Sequence, residues 1–273
     1  MSCLLQVSDP HFGTEQPEVL EALERLAHAL APELVVLSGD ITQRATVAQF
    51  AAARAFADRL AAPVLAIPGN HDIPLFHLAA RVFAPYGRYR RAFGDDLEPV
   101  FDSARWLVVA VNTTRWYRHE DGAVSAEQVE RVASRLEAAA SGQLRVVVTH
   151  QPVMVTRTRD LSNRLHGREG AVARWCAAGA DLILGGHIHL PFVRPLHDAF
   201  PGCARTAWAV QAGTAVSRRV RAGHPNSVNV VRTDIAAGPR ACRVERWDYV
   251  AQDKAFGCAE VFGLSLASEA ARP

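Results

Sequence analysis

A chain of 273 residues is long enough to bury a sizeable core, as one large domain or two small ones. Its 30 Lys and Arg against 28 Asp and Glu leave a net charge of +2, too little for a global attraction to a nucleic-acid polymer, and no apolar run reaches the roughly 18–20 residues of a membrane span. Cys3, Cys176, Cys203, Cys242 and Cys258 are scattered with no C-x-x-C pair, which argues against a disulfide framework or thiolate zinc site and fits a reducing, cytoplasmic compartment.

In chain order, "CLLQV" (3–7) reads as a first strand. "PEVLEALERLAHALA" follows as a helix, with Val19, Leu20, Leu23, Leu26 and Leu30 on one stripe and Pro17 suited to its first turn. "LVVLS" (34–38), "VLAI" (64–67) and "WLVVAV" (106–111) are the next strands. "SAEQVERVASRLEAAA" opens a second helix with Ser125 and Gln128 in capping-box spacing. "RVVVT" (145–149) is a strand, "REGAVARWCAAGA" a helix ending near Gly179, and "DLILG" (181–185) a further strand. "AWAVQA" (207–212), "SVNVVRT" (227–233) and "CRVERWDYV" (242–250) alternate with period 2, the pattern of antiparallel strands. Strand–helix alternation followed by strand-rich sequence predicts an α/β core extended by a second sheet. We expect one domain over 1–264 and a loose tail over 265–273.

Polar residues recur where the predicted strands end. "SDPHFG" carries Asp9 and His11, "SGD" carries Asp40, and "PGNHD" carries Asn70, His71 and Asp72. "THQP" carries His150, and "GGHIHLP" carries His187 and His189. The carboxyl ends of parallel strands form one rim of an α/β sheet, so these loops would converge. Taken singly, each fragment reads as a turn, a cap or a surface pair. Their joint placement is what points to a site.

The ordered set D-x-H, G-D, G-N-H-D, H and G-H-x-H resembles the calcineurin-like metallophosphoesterase superfamily over roughly residues 4–190, and "GDITQRA" with "GNHDIPL" resembles its bacterial class III cyclic-nucleotide phosphodiesterase branch. The resemblance implies a four-layer αββα sandwich of two mixed sheets flanked by helices. It also implies two divalent or transition-metal ions (Mn, Fe or Zn). One would be held by Asp9, His11 and His189, the other by Asn70, His150 and His187, with Asp40 bridging. Imidazole, carboxylate and amide oxygen suit such ions. His71 would give a proton to the leaving alkoxide, with Asp72 orienting it.

Arginines follow several of these motifs, and Arg44, Arg157, Arg159 and Arg218 are taken as substrate contacts. Neighbouring Arg164, His166, Arg168, Arg219 and Arg221 belong to the same clusters. The expected function is hydrolysis of small-molecule phosphodiesters, such as 3′,5′-cyclic nucleotides or glycerophosphodiesters. A phosphomonoesterase or protein phosphatase, a lipid-precursor pyrophosphatase, a nuclease and a non-catalytic scaffold are the alternatives. The expected partner is a small phosphoester, with no nucleic-acid polymer and no membrane span. A homodimer is compatible with the sequence but not specified by it.

Overall fold

The computed structural model describes residues 2–118, 120–203, 205–233 and 242–267. Strands β1 (Ser2–Val7), β2 (Leu34–Ser38) and β3 (Val64–Ile67) alternate with helices α1 (Pro17–Leu30) and α2 (Val47–Arg59). Two short helices, α3 (Leu78–Phe83) and α4 (Gly87–Phe93), lead to β4 (Val100–Asp102) and β5 (Trp106–Ala110). Next come α5 (Ala126–Glu137), β6 (Leu144–Val148), α6 (Arg168–Ala178) and β7 (Leu182–Gly185). The remainder is β-rich: β8 (Phe192–Pro195), β9 (Trp208–Gln211), β10 (Ser227–Thr233), β11 (Cys242–Val250) and β12 (Ala255–Leu264).

The strands form two six-stranded sheets, ordered β12-β11-β10-β1-β2-β3 and β4-β5-β6-β7-β9-β8. Parallel pairs β1–β2, β2–β3, β5–β6, β6–β7 and β7–β9 make the centres, and antiparallel pairs make both sheets mixed. The antiparallel expectation holds for β10 and β11, whereas β9 runs parallel to β7 and antiparallel to β8.

Period-2 alternation sorts each central strand between two cores. Leu5, Val7, Val35 and Leu37 face α1 and α2. Leu107, Val109 and Val147 face α5 and α6. The other side of the same strands, Leu4, Leu34, Val36, Trp106, Val108 and Val146, meets between the sheets. The result is the expected four-layer αββα sandwich. Among the described residues no helix is long and apolar enough to cross a membrane.

The reading of the cysteines needs correction. Cys176 of α6 and Cys203, both buried in the outer core, form a disulfide with Cα atoms 5.7 Å apart. Their separation of 27 residues gives no local signal; the packing of α6 over the loop before β9 brings them together. In the predicted tail, the Ser265 carbonyl accepts from Trp208 Nε1 and Leu266 packs against the inter-sheet core, while residues 268–273 lie outside the described residues.

Candidate metal centre

The loops after β1 and β2 continue the strands' pairing by a few residues: Asp9 N donates to Gly39 O, His11 N to Asp40 O and Phe12 N to Ile41 O. Beside them lie the loops after β3, β6 and β7. Gly69 approaches so closely that a Cβ there would strike the Asp40 backbone nitrogen and carboxylate, and Gly39, at φ +94°, would strike the His150 ring. Close approach of the backbones is what allows short side chains from separate loops to meet.

Asp9, His11, His189, Asp40, His150 and His187 do meet. The potential ligand atoms of Asp9, His11 and His189 lie within 4.8 Å of one another, as do those of Asp40, His150 and His187. Asp40 turns one oxygen to each group: Oδ1 is 3.3 Å from His150 Nε2, and Oδ2 is 3.8 Å from His11 Nε2. Asn70 Oδ1 is 3.2 Å from His150 Nε2, which puts the amide with the second group. His189 Nε2 lies 3.1 Å from His11 Nε2 and 3.3 Å from Asp9 Oδ1.

The far sides of two rings are anchored by carbonyls, His150 Nδ1 to Ser38 O at 2.9 Å and His189 Nδ1 to Arg219 O at 2.6 Å, which sets their inward nitrogens. Asp9 Oδ2 accepts from Ser8 Oγ and from His187 N. Asp9, His11, Asp40, Ala45, His187 and His189 all adopt positive φ, between 45° and 72°.

Such a donor set has poor internal solutions. Asp9, His11 and His150 are fully buried, and the buried Nδ1 atoms of His11 and His187 have no hydrogen-bond partner. Burial drives the His11 ring down to about 3, and burial with the charge of His150 drives His187 down to about 4. Both present neutral nitrogens at pH 7, the form a metal takes. Asp9 is also buried, but the His189 ring beside it outweighs that and holds its carboxyl at about 2. His150, despite burial, is raised to about 9 by the negative Asp40. Two carboxylates, four imidazoles and an amide oxygen fit two divalent ions.

His71 stands beside this set. Its ring centroid is 4.9 Å from that of His11, and it forms a third candidate ligand group with His11 and Asp40. The backbone N–H of His71 donates to Asp40 Oδ1 at 2.8 Å. Its ring Nδ1 faces Gln43 O at 3.0 Å, and Nε2 faces the Arg219 guanidinium at 2.9 Å.

Asp72 does not orient His71, contrary to the sequence reading. Its Oδ2 accepts from Ile41 N and Gly69 N, and its Oδ1 from Thr42 N and Thr42 Oγ1. The carboxylate clamps the Asp40 loop to the Asn70 loop, within a single 3-10 turn that spans Asn70–Asp72. Burial and the negative Asp40 push its carboxyl up to about 6, and the donated hydrogen bonds favour the ionised form at neutral pH.

The predicted arginine contacts divide. Arg44 is exposed over the Phe76 ring and lines a narrow pocket of about 10 Å³, room for a single water, with Gln43, Asn70, His71, Ile73 and Leu75. Arg218 lines a cleft of about 370 Å³ with Gly13, Thr14, Glu15 and Arg219. Arg157 and Arg159 are exposed at the turn that contains Thr158–Asn163 and line neither; Arg157 instead meets His224. Arg221 is neutralised by Asp160, with both contacts at 2.9 Å. The arginine nearest the centre is Arg219, which its sequence neighbours Arg218 and Arg221 make inconspicuous.

The calcineurin-like phosphoesterase family model matches residues 4–191. A protein of Synechococcus sp. named probable cyclic nucleotide phosphodiesterase is 27% identical over 217 residues, covering 75% of this chain and 80% of its own length. Among solved structures, a dimetal phosphatase from Danio rerio superposes with a TM-score of 0.66 at 12% identity, covering 97% of this chain and 99% of that one. The purple acid phosphatase PPD1 from yellow lupin (Lupinus luteus) seeds gives 0.69 at 14% identity over 97% of this chain, which spans about half (53%) of the lupin chain. At these identities the two structures speak for the fold. With the family match covering most of the chain, and with ligand groups suited to the dinuclear divalent centre of that family, the chain belongs to the calcineurin-like phosphoesterase family and is a metal-dependent phosphoesterase.

Proposed function

We propose that this enzyme hydrolyses small-molecule phosphodiesters, with 3′,5′-cyclic nucleotides and glycerophosphodiesters as the first candidates. The observation that carries the proposal is His71: an imidazole next to both ligand groups, beside Arg44 and the partly exposed Leu75, where an organic arm of the substrate would pass. A diester needs room for two such arms and a proton for its leaving alkoxide. The named Synechococcus relative supports the cyclic-nucleotide candidate.

Asp9, His11 and His189 would hold one ion, Asn70, His150 and His187 the other, and Asp40 would bridge them. Two such ions (Mn, Fe or Zn) supply a nucleophile from water at neutral pH and positive charge against the phosphoryl oxygens. The chain's own groups do the rest. Ser38 and Arg219 carbonyls fix the His150 and His189 rings, and Asp72 fixes the spacing of the Asp40 and Asn70 loops; His71, whose Nδ1–H faces Gln43 O, would first take a proton from water at Nε2 and then give that proton to the departing oxygen. Arg44 lines the narrow pocket and Arg218 the larger cleft, and both would meet the arms of the substrate.

We also propose a cytoplasmic location, in which Cys176 and Cys203 would be held as thiols. Alkylation of the protein in freshly lysed cells that finds these two residues already joined would reject it. The substrate reading is tested by comparing a chromogenic diester with its matching monoester, beside cyclic AMP and a glycerophosphodiester, with Mn, Fe and Zn in turn. The expected result is a higher kcat/KM on the diester than on the monoester. A clear monoester preference rejects the diester reading, and failure on cyclic AMP alone removes that candidate.

A further inference from the structure

Arg219 combines two connections to the centre. Its backbone carbonyl accepts from His189 Nδ1 at 2.6 Å and from Thr214 Oγ1 at 3.1 Å, and its N–H donates to Ser217 Oγ at 3.2 Å. The main chain is therefore tied to the ligand shell. Its guanidinium reaches across to the other side of the centre, where Nη1 lies 2.9 Å from His71 Nε2 and 3.2 Å from Gln43 Oε1. With Nδ1 of His71 directed at the Gln43 carbonyl, the hydrogen bonds assign Nδ1 as the protonated ring nitrogen and Nε2 as the acceptor of the Arg219 N–H.

A guanidinium is charged at any working pH, yet both acceptors here are neutral. Among the described residues no carboxylate lies within ion-pair distance of Arg219. Arg221, two residues on, is satisfied by Asp160, and Arg205 by Asp181. Arg219 is only partly buried, and it lines the 370 Å³ cleft on one side while its partners Gln43 and His71 line the narrow pocket on the other. A fixed cation with weak, neutral partners at the mouth of a site for anions is held ready for a stronger acceptor. A phosphoryl oxygen is that acceptor, since charge-assisted bonds are about twice as strong as neutral ones.

We propose that Arg219 binds a non-bridging phosphoryl oxygen of the substrate and leaves His71 Nε2 as it does so, so that seating the anion and uncovering His71 are one event. The proposal rests on the metallophosphoesterase reading of the site but not on a preference for diesters, because mono- and diesters share the oxygen concerned.

The test uses the two-metal protein and inorganic phosphate as the probe, with metal content measured beside each titration. Arg219→Gln keeps the backbone contacts and removes the charge, and should weaken phosphate binding about 10–100-fold, the equivalent of one charge-assisted bond, at unchanged metal content. Arg219→Lys should recover part of the loss, and guanidinium ion added to Arg219→Ala should recover more of it than methylammonium does. Phosphate affinity in Arg219→Gln equal to that of the unmodified protein overturns the proposal. So does loss of metal in both Arg219→Gln and Arg219→Lys, which would make the side chain structural. A protein that binds phosphate through Arg219 but turns over no diester would leave this proposal standing and reject the phosphodiesterase reading.

Discussion

Replacing Asp72 by Asn separates a clamp from a catalytic orienter. The carboxylate is fully buried and accepts four hydrogen bonds, two on each oxygen, at 2.7–2.9 Å. An amide keeps one oxygen and turns its NH₂ toward two donors. If the oxygen stays with Thr42, Ile41 N and Gly69 N lose their acceptor and face another donor. Hydrogen bonds to a charged group contribute about 1.5–3 kcal/mol each, so losing two costs about 3–6 kcal/mol. For a domain of this size that is a fall in Tm of about 6–24 °C. Because the donors lie on the loops that carry Asp40 and Asn70, metal content should fall with stability. Thr42→Val removes one donor to the carboxylate and the acceptor of Ala45 N, and should cost at least about 1.5–3 kcal/mol. Thermal unfolding and elemental analysis decide the matter: an Asp72→Asn protein with unchanged Tm and full metal, but lower kcat, refutes the clamp and restores the orienting role.

Asp40→Ala should lower occupancy at both metal positions, because one oxygen faces each ligand group; full metal in that variant would refute the bridge. Since Asp40 holds His150 up to about 9, metal uptake should displace a proton and weaken as pH falls below that value, which titration calorimetry in two buffers reads directly. His71→Ala should keep its metal while turnover of poor leaving groups drops about 10²–10⁴-fold and an activated nitrophenyl ester suffers less; loss of metal would make His71 a ligand. In the sheet far from the centre, Glu245 is buried, but hydrogen bonds from Trp247 and Arg232 hold its carboxyl below the ordinary range. Its stabilisation is therefore present above the unfolded carboxylate value, about 4.3, and lost as pH falls through the folded one. Glu245→Gln should destabilise at pH 7 and converge with the unmodified protein in acid; a pH-independent difference would contradict the assignment.

What could be read from the sequence was whatever announces itself locally. A buried parallel strand that stops at Gly and then Asp or His reports both its own end and a reason for it, so β1, β2, β3, β6 and β7 were legible with the residues they deliver. Helix α2 was missed because its buried face, Phe50, Ala53, Phe56 and Ala57, sits in an Ala-rich stretch with little apolar contrast. Strands β4 and β8 are three and four residues long, and β12 breaks alternation with Gly257 and Gly263 while its partner β11 shifts register at Arg246/Trp247. The roles that failed or stayed hidden are non-local. Asp72 was assigned to its neighbour in sequence, whereas three of the four hydrogen bonds it accepts come from Ile41 and Thr42, 31 and 30 residues away. Arg219 was one of three arginines in a row of four, and only the turn tied to Thr214 and Ser217 aims it at His71. The Cys176–Cys203 bond joins elements that meet through packing alone.

The backbone at the centre shows why these loops need so much outside support. Asp9, His11, Asp40, His187 and His189 are five of the nine non-glycine residues described with positive φ, a conformation that costs roughly 1–2 kcal/mol for a residue with a Cβ. Several kcal/mol of local strain is a large fraction of the 5–15 kcal/mol by which a domain is usually stable. Glycine at these positions would relieve the strain but would remove the ligands, so chemistry and comfort are opposed at the same residues. The strain is held by neighbours with no ligand atoms of their own: the Asp72 carboxylate, the Ser38 and Arg219 carbonyls, and the paired backbones of the Asp9 and Asp40 loops. That division of labour explains why Asp72 is a polar residue in a buried position without touching His71: it stabilises the geometry that the ligands themselves strain against.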